Sequence, residues 1–409
     1  MSSLRTTVRN SLRQYMMLLT LLAIILIFQV LTNGVLLKPM NVSNLIFQNA
    51  YVVILAVGML MCILTGGNVD LSVGSQVALI GACAGTFIIT WGWNSHLSIL
   101  LCLLIAIALG VWQGFWIAYV RIPPFIVTLS GMLVFRGLTL IVLNGMTLAP
   151  FPKDYLAYST GYIPDLFPEW QLFGLRNTTA LLIGIIIAVV YALAQIGSYR
   201  SRQKKGYSVE SMWTLLIKIA LISFGIIWLF YTLGAYRGVP MVLITVGIVL
   251  LVYTYITSQT VIGRHLYALG GNEKAARLSG VKTRFLLFLA YVNMAFLAGV
   301  AGIVFAARLN SASPQAGQSF ELDAIAACFI GGASAYGGIG TVGGALVGAM
   351  IMGVLNNGMS IMGISSNVQQ VVKGLVLLAA VAFDVISKQQ VTLKLPFFER
   401  KSRSQTRSA

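Results

Sequence analysis

Long apolar runs separated by short polar breaks organise this chain from residue 15 to residue 387. They lie near 15 to 37, 45 to 64, 72 to 90, 97 to 119, 125 to 144, 178 to 197, 213 to 234, 241 to 258, 285 to 307, 322 to 337, 341 to 361 and 367 to 387. Most approach the ~20 residues that ~30 Å of hydrocarbon demands of a helix. The run at 322 to 337 differs: LDAIAACFIGGASAYGG has a short apolar core that passes into glycines, which fits a re-entrant half-helix as well as a crossing. The pattern predicts an all-α polytopic membrane protein, a bundle of about 10 to 12 transmembrane helices with broken or re-entrant segments.

Composition agrees, since 58% of the 409 residues are hydrophobic and 9% charged, with a mean hydropathy of +0.88. No soluble domain hides that much apolar surface. The first run follows Arg5, Arg9 and Arg13 and lacks a small-residue cleavage site, so it reads as a first membrane helix rather than a signal peptide. The expected organisation is a basic arm at 1–14, a membrane domain at 15–387 and a basic tail at 388–409. Cys62, Cys83, Cys102 and Cys328 sit apart in apolar runs, as small core residues do.

Basic residues set the orientation. With the N-terminus inside, 19 Lys and Arg fall in the arm, at Arg121, in 198–212, in 259–284 and in the tail, against Lys38, Lys153, Arg176, Arg237 and Arg308 on the other face. The positive-inside rule then places both termini and the loop 259–284 in the cytoplasm, and the loop 145–177 outside. Topology and attraction to anionic membrane lipid account for the formal charge of +17 without nucleic acid. The outer loop's prolines rule out one continuous helix, and its aromatic residues suit an interfacial segment, a plug over the exit or a docking surface.

Candidate chemistry is sparse. No G-x-x-x-x-G-K-[ST] loop occurs, so nucleotide hydrolysis by that route is excluded. All ten acidic residues fall in loops or towards span ends, and His96 and His265 fall in expected loops without a ligand cluster. Neither ion coupling, catalysis, a metal nor a cofactor is expected. Arg136 lies inside the span 125 to 144, where an unpaired arginine costs at least ~2.5 kcal/mol, so it should meet a carboxylate or carbonyls, or else snorkel outward. Glycines at 66, 67, 74, 81 and 85, and again from 331 to 348, allow close packing or broken helices along a polar path. Asn68, Asp70, Ser72 and Asp323 are the path candidates there, with helix capping the plainer reading of each.

One polar island stands out, GRHLYALGGNEKAARLSGVKTR at 263–284. Within it, 272–280 reads as a short helix, capped by Asn272 after a Gly270-Gly271 turn, favoured by Glu273 at its start and closed by Ser279 and Gly280. Ala275 and Ala276 offer a small-residue side, and Lys274 and Arg277 offer charge to a partner. An interfacial helix lying on headgroups fits the same residues.

The island resembles the coupling segment in membrane subunits of ATP-binding-cassette sugar importers of the ribose/xylose type. The resemblance continues through GGNVDLSVGS (66–75), PPFIVTLSGMLVFRG (123–137), SPQAGQSFELDAIAACFIGG (313–332) and GGIGTVGGALVGAMIMGVLNNGMSIMG (337–363). A helical hairpin with a basic turn, roughly 178–234, makes the chain most similar to the longer xylose and multiple-monosaccharide permeases. The resemblance implies a homodimeric permease in the bacterial cytoplasmic membrane, a separate cytoplasmic ATP-binding subunit, an external sugar-binding protein, and a coupling role for 272–280. In the family's Glu-Ala-Ala pattern Lys274 holds the glutamate position, with Glu273 one residue earlier, so contacts of that carboxylate do not carry over. An ion-coupled sugar carrier is the rival reading.

Overall fold

The computed structural model describes residues 2–169, 174–207 and 211–389, so the expected tail lies outside the described residues from 390 onward. The helices in chain order are α1 (Ser2–Leu31), α2 (Pro39–Leu64), α3 (Val73–Gly85, continued by a π turn at Thr86–Thr90), α4 (Ser95–Ala118), α5 (Pro124–Leu143), α6 (Lys153–Thr160), α7 (Thr178–Lys204) and α8 (Met212–Tyr236). They continue as α9 (Met241–Gln259), α10 (Val261–Gly271), α11 (Glu273–Leu278), α12 (Thr283–Leu309), α13 (Phe320–Ile330), α14 (Val342–Ile361) and α15 (Ser366–Gln389). The described residues hold no strand, only isolated bridges between Leu148 and Ala312 and between Tyr162 and Pro240.

Local chemistry sets the ends. Proline occupies the first position of α2 and α5, where no amide donor is needed. Asn94, Asn177, Thr260 and Thr341 cap α4, α7, α10 and α14 through their side-chain oxygens. Asn144 and Asn310 close α5 and α12 in the left-handed conformation.

Ten helices among the described residues are long and apolar enough to cross a membrane, and α1 contributes a shorter apolar stretch, Met17–Leu31. Of the two readings of 322 to 337, the half-helix fits: its helix is α13, with 11 residues, about 16 Å at 1.5 Å per residue and half of what a crossing needs. The turn segment 310–319 precedes it and the glycine-rich turn 331–341 follows it. Both histidines, expected in loops, are helical: His96 in the first turn of α4 and His265 in α10.

The core is built around α2, α3 and α12. The most apolar stretches of α2 and of α3 with its π turn are 78% buried, against 11% for α8. Small residues let α4 and α12 approach closely, since a methyl on Gly110 would meet the Val292 Cα at 2.7 Å and one on Gly299 would meet Ala106 at 2.6 Å. The α7–α8 hairpin packs mainly on itself, with Ala180, Phe230 and Val239 forming a separate small core. Outward faces carry Leu133, Ile141, Leu221 and Leu375, suited to lipid.

Candidate translocation and coupling site

Two non-helical segments enter the bundle, and each delivers a helix N-terminus into it. The first is 65–72, between α2 and α3. Asp70 is fully buried, and its Oδ1 accepts from the Ser72 amide (2.8 Å) and hydroxyl (2.6 Å). The Ser72 hydroxyl in turn accepts from the side-chain amides of Gln76 on α3 and Gln113 on α4, each at 2.7 Å. Gln76 also donates to Gln113 Oε1 at 2.8 Å. Ser72 Oγ thus uses its one proton and both lone pairs, which joins α3 to α4 through a buried polar network. Asp70 Oδ2 and Gln76 Oε1 remain buried acceptors without a hydrogen bond. Asn68 is half-buried and donates to Thr65 Oγ1 at 3.1 Å, while Thr65 donates to the Cys62 carbonyl, so this pair finishes α2.

The second segment is 310–319, before α13. Arg136 on α5 donates from one guanidinium nitrogen to the carbonyls of Pro314 (2.9 Å) and Ala316 (2.6 Å), with Glu321 the carboxylate acting on it. The arginine therefore turns into the protein and supplies donors to carbonyls of this turn segment. Asp323, 1% exposed in the first turn of α13, meets the Lys373 ammonium of α15 with both oxygens at 3.0 Å. The two segments touch where Gly74 and Gly317 stack backbone on backbone, with the Glu321 carboxylate beside Gly74. Helix N-termini favour carboxylates there.

The expectation that acidic residues sit in loops or towards span ends holds for position but not for depth. Asp70 and Asp323 do lie at helix starts, but those starts are buried within the bundle, because a half-helix carries its terminus to the interior. Gln76, Gln113, Glu321 and Lys373 escaped sequence reasoning. The signal was available for three of them: Gln76, Gln113 and Lys373 are polar residues inside apolar runs, the same mark that singled out Arg136.

The polar island forms α10 and α11. Asn272 caps α11 by accepting from the Ala275 amide at 3.0 Å, and Gly280 follows at φ +85°. Gly270 and Gly271 end α10 rather than forming the expected free turn. The expected small-residue side also divides: Ala276 is buried against the bundle, whereas Glu273, Lys274, Ala275, Arg277, Leu278 and Ser279 are exposed. Leu278, 88% exposed, was not singled out by sequence. A cleft of about 220 Å³ separates α11 from the first broken segment, lined by Thr65, Asn68, Arg121, Glu273, Thr283 and Arg284 among others. No group of three or more metal-binding side chains occurs among the described residues.

The segment 145–177 is fastened rather than free along its described length. Tyr155 of α6 is fully buried, stacks on Phe151 at 4.3 Å between ring centroids and donates to the Ile303 carbonyl at 3.2 Å. Asp165 accepts from the Thr179 hydroxyl (2.6 Å) and from the amides of Phe167, Thr178 and Thr179. Desolvation is the largest single influence and raises its pKa, but the four donors together outweigh it and hold the carboxyl below its ordinary value.

A lipid-suited bundle in which broken helices meet at a polar interior has the architecture of a polytopic membrane transport component. The chain belongs to the family described as "Branched-chain amino acid transport system / permease component", whose model matches residues 41–167 and 166–381. It is 35% identical to the xylose transport system permease protein XylH of Haemophilus influenzae over 93% of this chain and 98% of the relative. Identity to XylH of Escherichia coli K12 is 38%, covering 93% of each chain. The ribose import permease protein RbsC of the same strain is 36% identical over 84% of this chain and 85% of its own length. No solved structure matches the chain.

Proposed function

We propose that the chain is the permease subunit of an ATP-binding-cassette importer for xylose or a related monosaccharide in the bacterial cytoplasmic membrane. The observation that carries this is similarity to two xylose permeases along nearly the whole length of both partners. A separate cytoplasmic subunit hydrolyses ATP, and an external binding protein delivers the sugar. The polar interior suits such cargo. Ser72, Gln76 and Gln113 are neutral hydrogen-bonding groups, and the unpartnered oxygens of Asp70 and Gln76 are acceptors for hydroxyls. Asn68 lines the cleft beside α11. Two copies of the permease pair across the membrane, so that broken segments of both copies flank the path.

In this reading α11 docks in a cleft of the ATP-binding subunit. Lys274 and Arg277 present charge and Leu278 an apolar anchor, while Ala276 holds the helix to the membrane domain. One specific observation favours an ion-coupled carrier as a second reading: Asp70 is a buried carboxylate with one free oxygen. Asp323 gives it less support, since Lys373 already neutralises it.

Orientation has its own test. With native cysteines removed, a Lys274→Cys variant should resist a membrane-impermeant thiol reagent added to intact cells and react after permeabilisation. Efficient labelling in intact cells would place α11 outside and end the coupling reading.

A further inference from the structure

A joint of three glycine-containing backbones lies directly behind α11. Gly270, in the last turn of α10, has its Cα against the Leu64 carbonyl and the Gly338 amide, so a methyl there would overlap both. The Gly338 amide donates to that same Leu64 carbonyl at 3.2 Å, which satisfies an end group of α2. One step further on, Gly337 lies on the backbone of Gly66 and Gly67, and Gly67 on the carbonyl of Ala335. The Tyr267 hydroxyl, one turn earlier on α10, donates to the Gly340 carbonyl at 2.8 Å. The end of α10, the first broken segment and the turn between α13 and α14 therefore share one contact. Gly271 is followed at once by Asn272, the cap of α11.

We propose that this joint is the transmission point of the transporter, with Gly270, Gly338 and Tyr267 acting as positioning residues. A displacement of α11 by the ATP-binding subunit reaches Leu64 and Gly338 without an intervening flexible linker. It thereby acts on the first non-helical segment, 65–72, through the end of α2, and on the half-helix α13 through the turn 331–341. Side-chain contacts would absorb part of such a motion by rotamer changes, whereas backbone in contact with backbone has no such freedom. The proposal rests on the coupling reading of α11, and the two are separable by experiment.

The sequence supplies a matched control. Gly270 and Gly271 are neighbours in α10 and neither has a positive φ, yet a methyl on Gly271 meets nothing within 4 Å. Alanine favours the helix at both positions by ~1 kcal/mol, so a defect confined to Gly270→Ala comes from the joint. In vesicles holding the full importer, Gly270→Ala should keep the ATP-binding subunit bound and basal ATP hydrolysis intact. It should lose uptake, and stimulation of hydrolysis by sugar-loaded binding protein, by about tenfold or more, the range of coupling energies between sites, while Gly271→Ala behaves as wild type. Uptake by Gly270→Ala equal to that of Gly271→Ala, or loss of the ATP-binding subunit from Gly270→Ala, overturns the proposal. If Gly270→Ala fails to insert, Tyr267→Phe carries the test, because it removes one hydrogen bond and adds no bulk. It should lower stimulation several-fold with assembly unchanged, and unaltered stimulation overturns the proposal. Failure of the coupling reading looks different: Ala276→Pro would then leave the ATP-binding subunit bound and uptake normal.

Discussion

Leu278→Asp should strip the ATP-binding subunit from an otherwise intact permease. The residue is 88% exposed on a six-residue helix, so it supports no packing within the chain, and surface changes of this kind alter stability by about 0.5 kcal/mol or less. A leucine left exposed at the end of a capped helix has the character of an interface anchor. Removing such an anchor costs about 2 kcal/mol or more, some thirtyfold in affinity, and an aspartate additionally places an unpaired charge in the cleft that leucine would fill. Co-purification from detergent should therefore fall to background while yield and thermal stability of the permease hold. If α11 lies instead on lipid headgroups, the variant retains its ATP-binding subunit, and that result removes α11 from the interface.

The second large effect concerns Asp323 and Lys373. Their side chains are 2% and 17% exposed, and the pair joins the half-helix α13 to α15, whose most apolar stretch is otherwise unburied. Asp323→Ala leaves an ammonium with no counter-charge in an apolar setting, and breaking a buried pair from one side costs about 3–5 kcal/mol. Asp323→Leu combined with Lys373→Met should recover most of that loss, since an apolar replacement of the whole pair is often neutral or stabilising. The check is thermal unfolding of the purified permease in detergent, compared across single and double variants. A double variant as unstable as Asp323→Ala would show that the pair does more than neutralise itself. A double variant that is stable but unable to transport would assign Asp323 to the path.

Much of this was legible in residue order, for physical reasons that differ by element. Spanning helices announce themselves because hydrocarbon demands length and apolarity together, and each of the ten long spans overlaps an apolar run visible in the sequence. The cap at Asn272 and the stop at Gly280 are local chemistry, readable from a few neighbours. Arg136 was legible as a cost that needed a partner, but its partners, the carbonyls of Pro314 and Ala316, are 178 and 180 residues away and no local rule finds them. Burial of Asp70 and Asp323 was hidden for a related reason: a carboxylate beside a glycine-rich break looks like a loop residue until the break is seen to lie inside the bundle. The face of α11 was misjudged because a six-residue helix is too short for periodicity to show which side meets the membrane domain. The joint at Gly270 is the extreme case, formed by three segments separated by some two hundred and by about seventy residues, each reading only as a glycine pair.

As an importer subunit, this chain has no engine of its own and borrows one through α11. The direct measurement is accumulation of labelled xylose in sealed vesicles under two conditions. In one, the permease is reconstituted with its ATP-binding subunit, sugar-loaded binding protein and ATP; in the other, the permease alone faces an imposed proton or sodium gradient. Accumulation is expected only in the first condition, and is lost there with Leu278→Asp. Accumulation by the permease alone, driven by the ion gradient and abolished by Asp70→Asn, would contradict this and establish the ion-coupled carrier instead.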